Sequence, residues 1–202
     1  MQVSESLEGA WQTFKQHTGS LIAATFALIV AQLVLQGVLA RTLHSPLVFV
    51  LNLLLSGLFM GGQMNVARIA ARGQEPTIAD AFAPFTARQG DYLLVGLALG
   101  AGTLLCFIGV LVTAFLFLFA PILVVDGSDF KTALRQSKDM MLANVGEILG
   151  LFLVLIALNV LGAITLIGWL VALPITSLMV VRAYEQLRAR GVPPAQISAT
   201  AP

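Results

Sequence analysis

Charge is what this sequence lacks most. Lys, Arg, Asp and Glu together make up 10% of its 202 residues, whereas 58% of the residues are hydrophobic. An ordinary soluble domain carries about 25% charged residues. A soluble fold of this length has too little interior to hide so much apolar surface, so we expect that surface to face lipid. The formal net charge of +1 also excludes the strongly basic footprint of a nucleic-acid-binding protein.

Residues that carry chemistry are also scarce. The single cysteine, Cys106, lies in an apolar run, which excludes an internal disulfide and a cysteine-based metal cluster. His17 and His44 lie far apart in sequence, both near the ends of apolar blocks. The sequence has no His–Glu metal pattern, no serine nucleophile motif and no phosphate-binding glycine loop with a lysine. Because it also lacks an acid–base pair, it predicts a non-enzymatic protein with no cofactor.

A cleavable signal peptide is not expected either. Residues 1–19 are polar and amphipathic, with Glu5 and Glu8 among them, rather than a basic start followed by a short apolar run. We therefore expect the first apolar segment to remain as a membrane span.

Long apolar blocks dominate the rest of the chain. Residues 21–40 and 46–66 each provide about the 20 residues that a helix needs to cross a bilayer. Blocks 92–125 and 145–182 are too long for one helix, and each has a glycine-containing turn candidate, "CFIG" (106–109) and "TLIG" (165–168). No block alternates polar and apolar residues as a barrel strand does. The prediction is an all-α, polytopic membrane protein with six transmembrane helices in three hairpins.

The positive charges predict the orientation of these spans. With six spans, all of the Lys and Arg residues except Arg41 fall on the side that carries both termini. Cytoplasmic loops carry an excess of Lys and Arg, so both termini are predicted to be cytoplasmic.

A short and loosely defined motif, called here the word, precedes each of the three predicted hairpins: "SLEGAW" (6–11), "TIADAF" (77–82) and "DFKTAL" (129–134). Its first residues, Ser6, Thr77 and Asp129, can cap a helix, and Asp80 can complete a capping box with Thr77. Its apolar residues recur three and four positions apart, which predicts short cytoplasmic helices lying in the membrane interface. The word also fits "NVLGAI" (159–164) inside a span, so its position carries the argument rather than its spelling.

These words divide a single domain, 1–190, into three modules, 4–72, 76–127 and 128–190, each an interfacial helix followed by a hairpin. The tail, 191–202, is predicted to be disordered. The alanine of each word is expected where the short helix crosses its own hairpin. The aromatic side chains expected to anchor these helices in the interface are Trp11, Phe14, Phe82, Phe85 and Phe130.

The spans contain uncharged polar side chains and no charge near the middle, where a charge usually marks an ion or proton pathway. Two interpretations are open. The side chains either form interhelical hydrogen bonds, worth about 0.6–2 kcal/mol each, or line a cavity for a small solute. The sequence alone favours the hydrogen bonds, because they need no special site. The candidate cluster comprises Gln32, Gln36, Asn52, Ser56, Gln63 and Asn159.

Small residues and prolines predict how the spans pack. Glycines four residues apart allow helices to approach closely, within the bundle or between subunits. Such pairs are Gly57/Gly61, Gly96/Gly100 and Gly146/Gly150. Pro121 and Pro174 are expected to kink the fourth and sixth spans because each lacks a backbone N–H.

Three segments together resemble a known group: "ARGQEPTIADAFAPF" (71–85), "APILVVDGSDFKTALRQSKDMM" (120–141) and "LIGWLVALPITSLMVVRAYEQL" (166–187). They resemble uncharacterised bacterial six-helix membrane proteins that are similar to the membrane domain found beside some glycerophosphoryl diester phosphodiesterases. The matching positions are Arg72, Gly73, Gln74, Ala133, Leu134, Arg135, Ser137, Pro174, Ala183 and Tyr184. The resemblance implies the fold and a bacterial inner membrane location. It implies no catalysis, since no phosphodiesterase domain accompanies the matching segments.

Two main functions follow as hypotheses. The first is a scaffold or accessory subunit that acts through helix contacts in the membrane, with lipids and either copies of itself or other membrane-protein subunits as partners. The alternative is a small-solute transporter or its substrate-binding subunit, which predicts that Gln32, Gln36, Asn52 and Asn159 converge on one cavity. A third hypothesis gives the interfacial helices a role in sensing lipid packing.

Overall fold

The computed structural model describes residues 3–42, 46–102 and 106–190, and the regular structure in these ranges is helical, without strands. Four of the helices are long and apolar enough to cross a membrane. The chain is therefore an all-helical membrane protein. The candidate spans are Thr18–Arg41, Val48–Ala71, Val145–Ala163 and Gly168–Ala189.

The helices follow the predicted apolar blocks, with short helices between them. In chain order they are α1 (Val3–Gln16), α2 (Thr18–Thr42), α3 (Pro46–Ala71), α4 (Ile78–Phe82) with a 3₁₀ turn (Ala83–Phe85), α5 (Gln89–Ala101), α6 (Cys106–Leu116), α7 (Ala120–Val125), α8 (Phe130–Ala143), α9 (Val145–Ala163) and α10 (Leu166–Ala189).

Long helices that follow one another in the chain run antiparallel, which gives the bundle two distinct ends. Thr25 of α2 meets Gln63 of α3, and Gly57 of α3 meets Gly96 of α5. One end, called here the charged end, carries the short helices and an ion-pair cluster centred on Asp126. At the opposite end, helices α2, α5 and α9 end and helices α3, α6 and α10 begin.

The turn predicted at 106–109 is wrong, because Cys106–Leu116 is helical. Helix α5 ends at Ala101 and α6 begins at Cys106, and residues 103–105 between them lie outside the described ranges. A Cβ on Gly102 would lie 2.5 Å from the Gly109 carbonyl oxygen, so Gly109 takes part in a close helix contact rather than a turn. The other turn, predicted at 165–168, starts one residue earlier than predicted. Ile164 and Thr165 join the two helices, and Gly168 already lies in α10.

The helix that contains Pro121 is broken into α6 and α7. Pro121 has no N–H, so it stands in the first turn of α7, where none is needed. The hydroxyl of Ser137 on α8 fills the break. It accepts from the Phe119 N–H at 3.2 Å and donates to the Leu116 carbonyl at 2.9 Å, so two buried backbone groups of the break are satisfied.

Two of the three predicted caps are present. Thr77 and Asp80 form the capping box at the start of α4, with the Thr77 N–H donating to Asp80 at 2.8 Å. Asp129 caps α8 by accepting from the Thr132 N–H, and the hydrogen bonding to Thr132 lowers the pKa of the Asp129 carboxyl. The predicted cap at Ser6 is wrong. Helix α1 begins at Val3, and Ser6 lies one turn inside it, fully buried.

Each short helix packs mainly against helices other than those that follow it in the chain. Helix α1 packs mainly on α10, α4 on α2 and α3, and α8 on α5, α6 and α7. Ala10, Ala81 and Ala133 are all fully buried. At Ala81 the expectation of a contact with its own hairpin is wrong, because its carbonyl oxygen lies against Gly62 of the preceding helix α3.

Helices α1 and α8 repeat in a register one turn away from that of the sequence word. Both have 14 residues, and both bury positions with the same spacing. A single non-helical residue, His17 or Asn144, then leads into the next helix. The word pairs Ala10 with Ala133, whereas burial pairs Ser6 with Ala133. The buried positions are Ser6, Ala10, Thr13 and Phe14 in α1, and Ala133, Ser137, Met140 and Met141 in α8.

The predicted interfacial anchors differ in exposure. Trp11 is 47% exposed and stacks on Phe14, which is buried. Phe82, Phe85 and Phe130 are partly buried. Phe85 contacts the ring of Phe59 on α3 at 5.1 Å. Trp11 is therefore the anchor that faces outward, and the other four pack against the bundle.

A candidate ligand cavity within the helical bundle

A cavity of about 810 Å³ lies between α2, α3, α6, α9 and α10. Its volume falls within the range of about 300–1,000 Å³ that small-molecule sites occupy. Its walls are mostly aliphatic and aromatic, and none of the lining residues that the structure describes is charged. The cavity therefore suits a neutral and largely apolar molecule.

Five members of the predicted polar cluster line this cavity, and Asn52 does not. Gln63 also forms a 3.2 Å hydrogen bond with Thr25 between α3 and α2, so at this position the two interpretations of the cluster hold together. The five lining members are Gln32, Gln36, Ser56, Gln63 and Asn159.

Four polar side chains of the lining lie at one level of the bundle. Gln32 follows Thr25 by seven residues on α2, and Ser56 precedes Gln63 by seven residues on α3. Because the two helices are antiparallel, both residues lie about 10 Å from the Thr25–Gln63 hydrogen bond, towards the opposite end. The close contact of Gly162 with Ala172 fixes the level of α9 against α10. The level of α10 against α3 follows from Asp126, which binds both Arg68 and Arg188.

From those contacts, Asn159 lies about one turn from Gly162 and Thr176 about one turn from Ala172, both towards the charged end. Ser56 precedes Arg68 by 12 residues and Thr176 precedes Arg188 by 12, so both lie about 18 Å from the charged cluster. The polar belt, as we call this set, comprises Gln32, Ser56, Asn159 and Thr176.

Three belt side chains already donate a hydrogen bond to their own helix. The Ser56 hydroxyl donates to the Leu53 carbonyl at 2.7 Å, and the Thr176 hydroxyl to the Leu173 carbonyl at 3.0 Å. The Asn159 amide nitrogen donates to the Leu155 carbonyl at 2.8 Å. Such local bonds satisfy these groups in the absence of a ligand.

The side chains that line the cavity are more exposed towards the opposite end of the bundle than towards the charged end. From the belt outwards, lining side chains are well exposed: Leu33 is 59%, Val160 61% and Trp169 40% exposed. Towards the charged end the lining is closed, since Leu118 is 8% and Val180 3% exposed.

An ion-pair cluster joins three helices beyond the closed end of the cavity. The Asp126 carboxylate, at the end of α7, pairs with Arg68 of α3 and, at 3.0 Å, with Arg188 of α10. It also accepts a 2.6 Å hydrogen bond from the Tyr184 hydroxyl, while Arg68 donates to the Val125 carbonyl at 2.9 Å. The cluster holds the charged ends of α3, α7 and α10 together.

Sequence reasoning missed several of these residues. Thr25, Thr176 and Ser177 line the cavity but lie outside the predicted cluster. Thr25 lies seven residues before Gln32, and Thr176 and Ser177 lie two and three residues after Pro174. These spacings were the available signal. Asp126, Arg68 and Arg188 could be placed near span ends, but nothing in a single sequence pairs them.

Two of the three glycine pairs are used inside the bundle. Gly57, Gly61, Gly96 and Gly100 all lie in the contact between α3 and α5. In the third pair, Gly150 lies near Val3 of α1, whereas a Cβ on Gly146 would meet nothing within 4 Å. These glycines therefore build this chain's own core more than they offer a surface to a partner.

Comparison with models of known protein families, with curated proteins and with solved structures finds no significant match.

Proposed function

We propose that this chain is a non-enzymatic membrane protein that binds a small, uncharged molecule in its intramembrane cavity, as a transporter or as its substrate-binding subunit. One observation carries the proposal: five of the six residues of the predicted polar cluster line a single cavity whose described lining is uncharged. Hydrogen bonding between helices accounts for Thr25 and Gln63, but it gives no reason for the other four to share a cavity.

The proposed topology has six crossings, with the charged end in the cytoplasm of a bacterium and the cavity open to the outside. The distribution of Lys and Arg supports this orientation. The middle crossings are short, since the 13 residues of α5 measure about 20 Å against about 30 Å of hydrocarbon. Local thinning of the bilayer accommodates such a pair. The resemblance to bacterial six-helix membrane proteins agrees with this topology and stays a prediction.

Cysteine labelling in intact cells tests the orientation. In a Cys106→Ser background, Glu75→Cys at the charged end and Ile164→Cys at the opposite end place one thiol on each side. Glu75 is exposed, and Ile164 is 73% exposed. We expect a membrane-impermeant maleimide to label only the Ile164→Cys protein. Labelling of Glu75→Cys from outside would reverse the orientation.

The two tryptophans allow a direct test of ligand binding. Trp169 lines the cavity, and Trp11→Phe leaves it as the single tryptophan. Titration of the purified Trp11→Phe protein with 12-bromo-1-dodecanol, whose bromine quenches tryptophan, should give saturable quenching. Ala114→Phe, which fills the cavity from α6, should abolish the saturable part, whereas Ala23→Phe on the exposed face of α2 should not. Linear quenching that is identical in all three proteins would refute the proposal.

A further inference from the structure

The polar belt offers an excess of hydrogen-bond acceptors to the cavity. A hydroxyl has one hydrogen and two lone pairs. Ser56 and Thr176 give that hydrogen to their own helices, so they present only lone pairs to a ligand. Asn159 has given one of its two N–H groups to Leu155 and keeps its carbonyl oxygen. Only Gln32 brings a full amide, with two N–H donors and one oxygen.

This balance distinguishes between neutral ligands. An ether or ketone brings only lone pairs and meets lone pairs at Ser56 and Thr176. A hydroxyl or N–H group brings a hydrogen that any of the four oxygens can accept. Buried polar groups are costly when they lose their water without gaining a partner, so a ligand that carries a donor is favoured.

Charge distinguishes between ligands in the same direction. The nearest basic side chain along a lining helix, Arg41 of α2, lies nine residues or about 14 Å from Gln32, and Arg68 and Arg188 lie about 18 Å from the belt. A carboxylate at the belt would be an unpaired anion in an apolar surrounding, which is strongly unfavourable. A carboxylate also has no hydrogen to donate.

We propose that the ligand is a neutral molecule with an apolar body and a hydroxyl or N–H group, which it donates to the polar belt. This inference rests on the proposed function, because it names the class of molecule that the same cavity takes. The apolar body lies along the aliphatic and aromatic wall, and the donor group lies at the level of Ser56, Asn159 and Thr176.

The test compares three probes of equal chain length on the Trp11→Phe protein: 12-bromo-1-dodecanol, its methyl ether and 12-bromododecanoate. We expect saturable quenching by the alcohol, roughly tenfold weaker affinity for the ether and roughly a hundredfold weaker affinity for the carboxylate. Equal affinities for alcohol and ether would overturn the inference while leaving the cavity as a binding site. A lack of saturable quenching by every probe would instead refute the proposed function.

Variants of the belt assign the preference to these residues. Thr176→Val and Asn159→Leu keep much of the side-chain size and remove acceptors, so each should weaken alcohol binding several-fold. Thr176→Val removes no hydrogen that is available to a ligand, so it should leave ether binding unchanged. Asn52→Leu is the matched control, because Asn52 is a polar residue of α3 that does not line the cavity. An unchanged alcohol preference in both belt variants would overturn the assignment. Should a variant fail to fold, the ranking of the three probes on the otherwise native chain still decides the inference.

Discussion

The tightest backbone contact described here rests on single glycines. A Cβ on Gly96 would lie 2.6 Å from the Gly57 nitrogen and 2.7 Å from the Leu54 carbonyl oxygen. A Cβ on Gly57 would likewise lie 2.6 Å from the Gly96 nitrogen. These neighbours are backbone atoms and cannot rotate away. In a membrane, where lipid tails are as apolar as side chains, such close packing is a main source of helix association.

Gly96→Ala should therefore destabilise the protein although alanine favours a helix. We expect the free energy of unfolding to fall by about 2 kcal/mol or more, because the added methyl forces α3 and α5 apart. Gly37→Ala is the control: a Cβ at Gly37 meets nothing within 4 Å. It should leave stability unchanged or raise it by up to about 1 kcal/mol. Thermal unfolding in detergent measures both, and equal melting temperatures would contradict the role of Gly96.

Single residues also mark how far the sequence could be interpreted. Residues 96 and 100 were correctly recognised as a small-residue pair, because their spacing is a local property. Gly109 was assigned to a turn, since glycine permits a turn and a close approach equally well. Only the position of Gly102 on the neighbouring helix decides between them.

The short helices α1, α4 and α8 hold the longer helices at the charged end. Helices α1 and α8 each bury a stripe of four side chains, and α4 buries Ala81. Helix α4 shows how close this contact is, because a Cβ on Gly62 of α3 would run into the Ala81 carbonyl oxygen. A five-residue helix has little stability of its own, so its capping box and this contact have to hold it in place.

Ala81→Leu should lower the free energy of unfolding by about 1–3 kcal/mol, because the larger side chain cannot fit between α4 and α3. Ala79→Leu lies on the same short helix with an exposed side chain and should change stability by less than about 0.5 kcal/mol. Chemical unfolding in detergent compares the two. A loss of the same size in both variants would show that leucine disturbs α4 itself rather than its contact.

At the scale of elements, periodicity predicted what is local and missed what is distant. The long apolar runs predicted α2, α3, α9 and α10, and the pattern around Thr77 predicted its capping box. The start of α1 was misplaced because Ser6 is a favourable cap, yet it is buried against the bundle instead. Which pair each short helix contacts depends on the tertiary arrangement, and no local pattern encodes it.

At the scale of the whole molecule, Asp126 links α3, α7 and α10 at the charged end. Its side chain is 10% exposed and that of Arg68 20%, so the pair is shielded from water on most sides. The cavity lies farther along α3 and α10, which line it together with α2, α6 and α9. The cluster therefore sets how closely the helices approach where the cavity is closed.

Asp126→Asn should destabilise the protein on the order of 2–4 kcal/mol, because it leaves Arg68 mostly buried without its counter-charge. Glu185→Gln is the control, since Glu185 pairs with Arg182 at 3.9 Å on the surface and should contribute less than about 1 kcal/mol. Unfolding in detergent measures the stability of both variants. Asp126→Asn with the stability of the native chain would contradict a structural role for the cluster.

The packing of α1 on α10 has a consequence for how the protein is made. Thr13 of α1 accepts a hydrogen bond from Arg182 of α10, which is 169 residues later in the chain. A ribosome that adds about 5–20 residues per second needs roughly 10–30 s to make that stretch. Helix α1 therefore leaves the ribosome first but gains its partner last. Until then, the face of α1 that packs on α10 lacks its main partner, so a chain that stops before α10 carries an incompletely packed α1 that quality-control proteases can recognise.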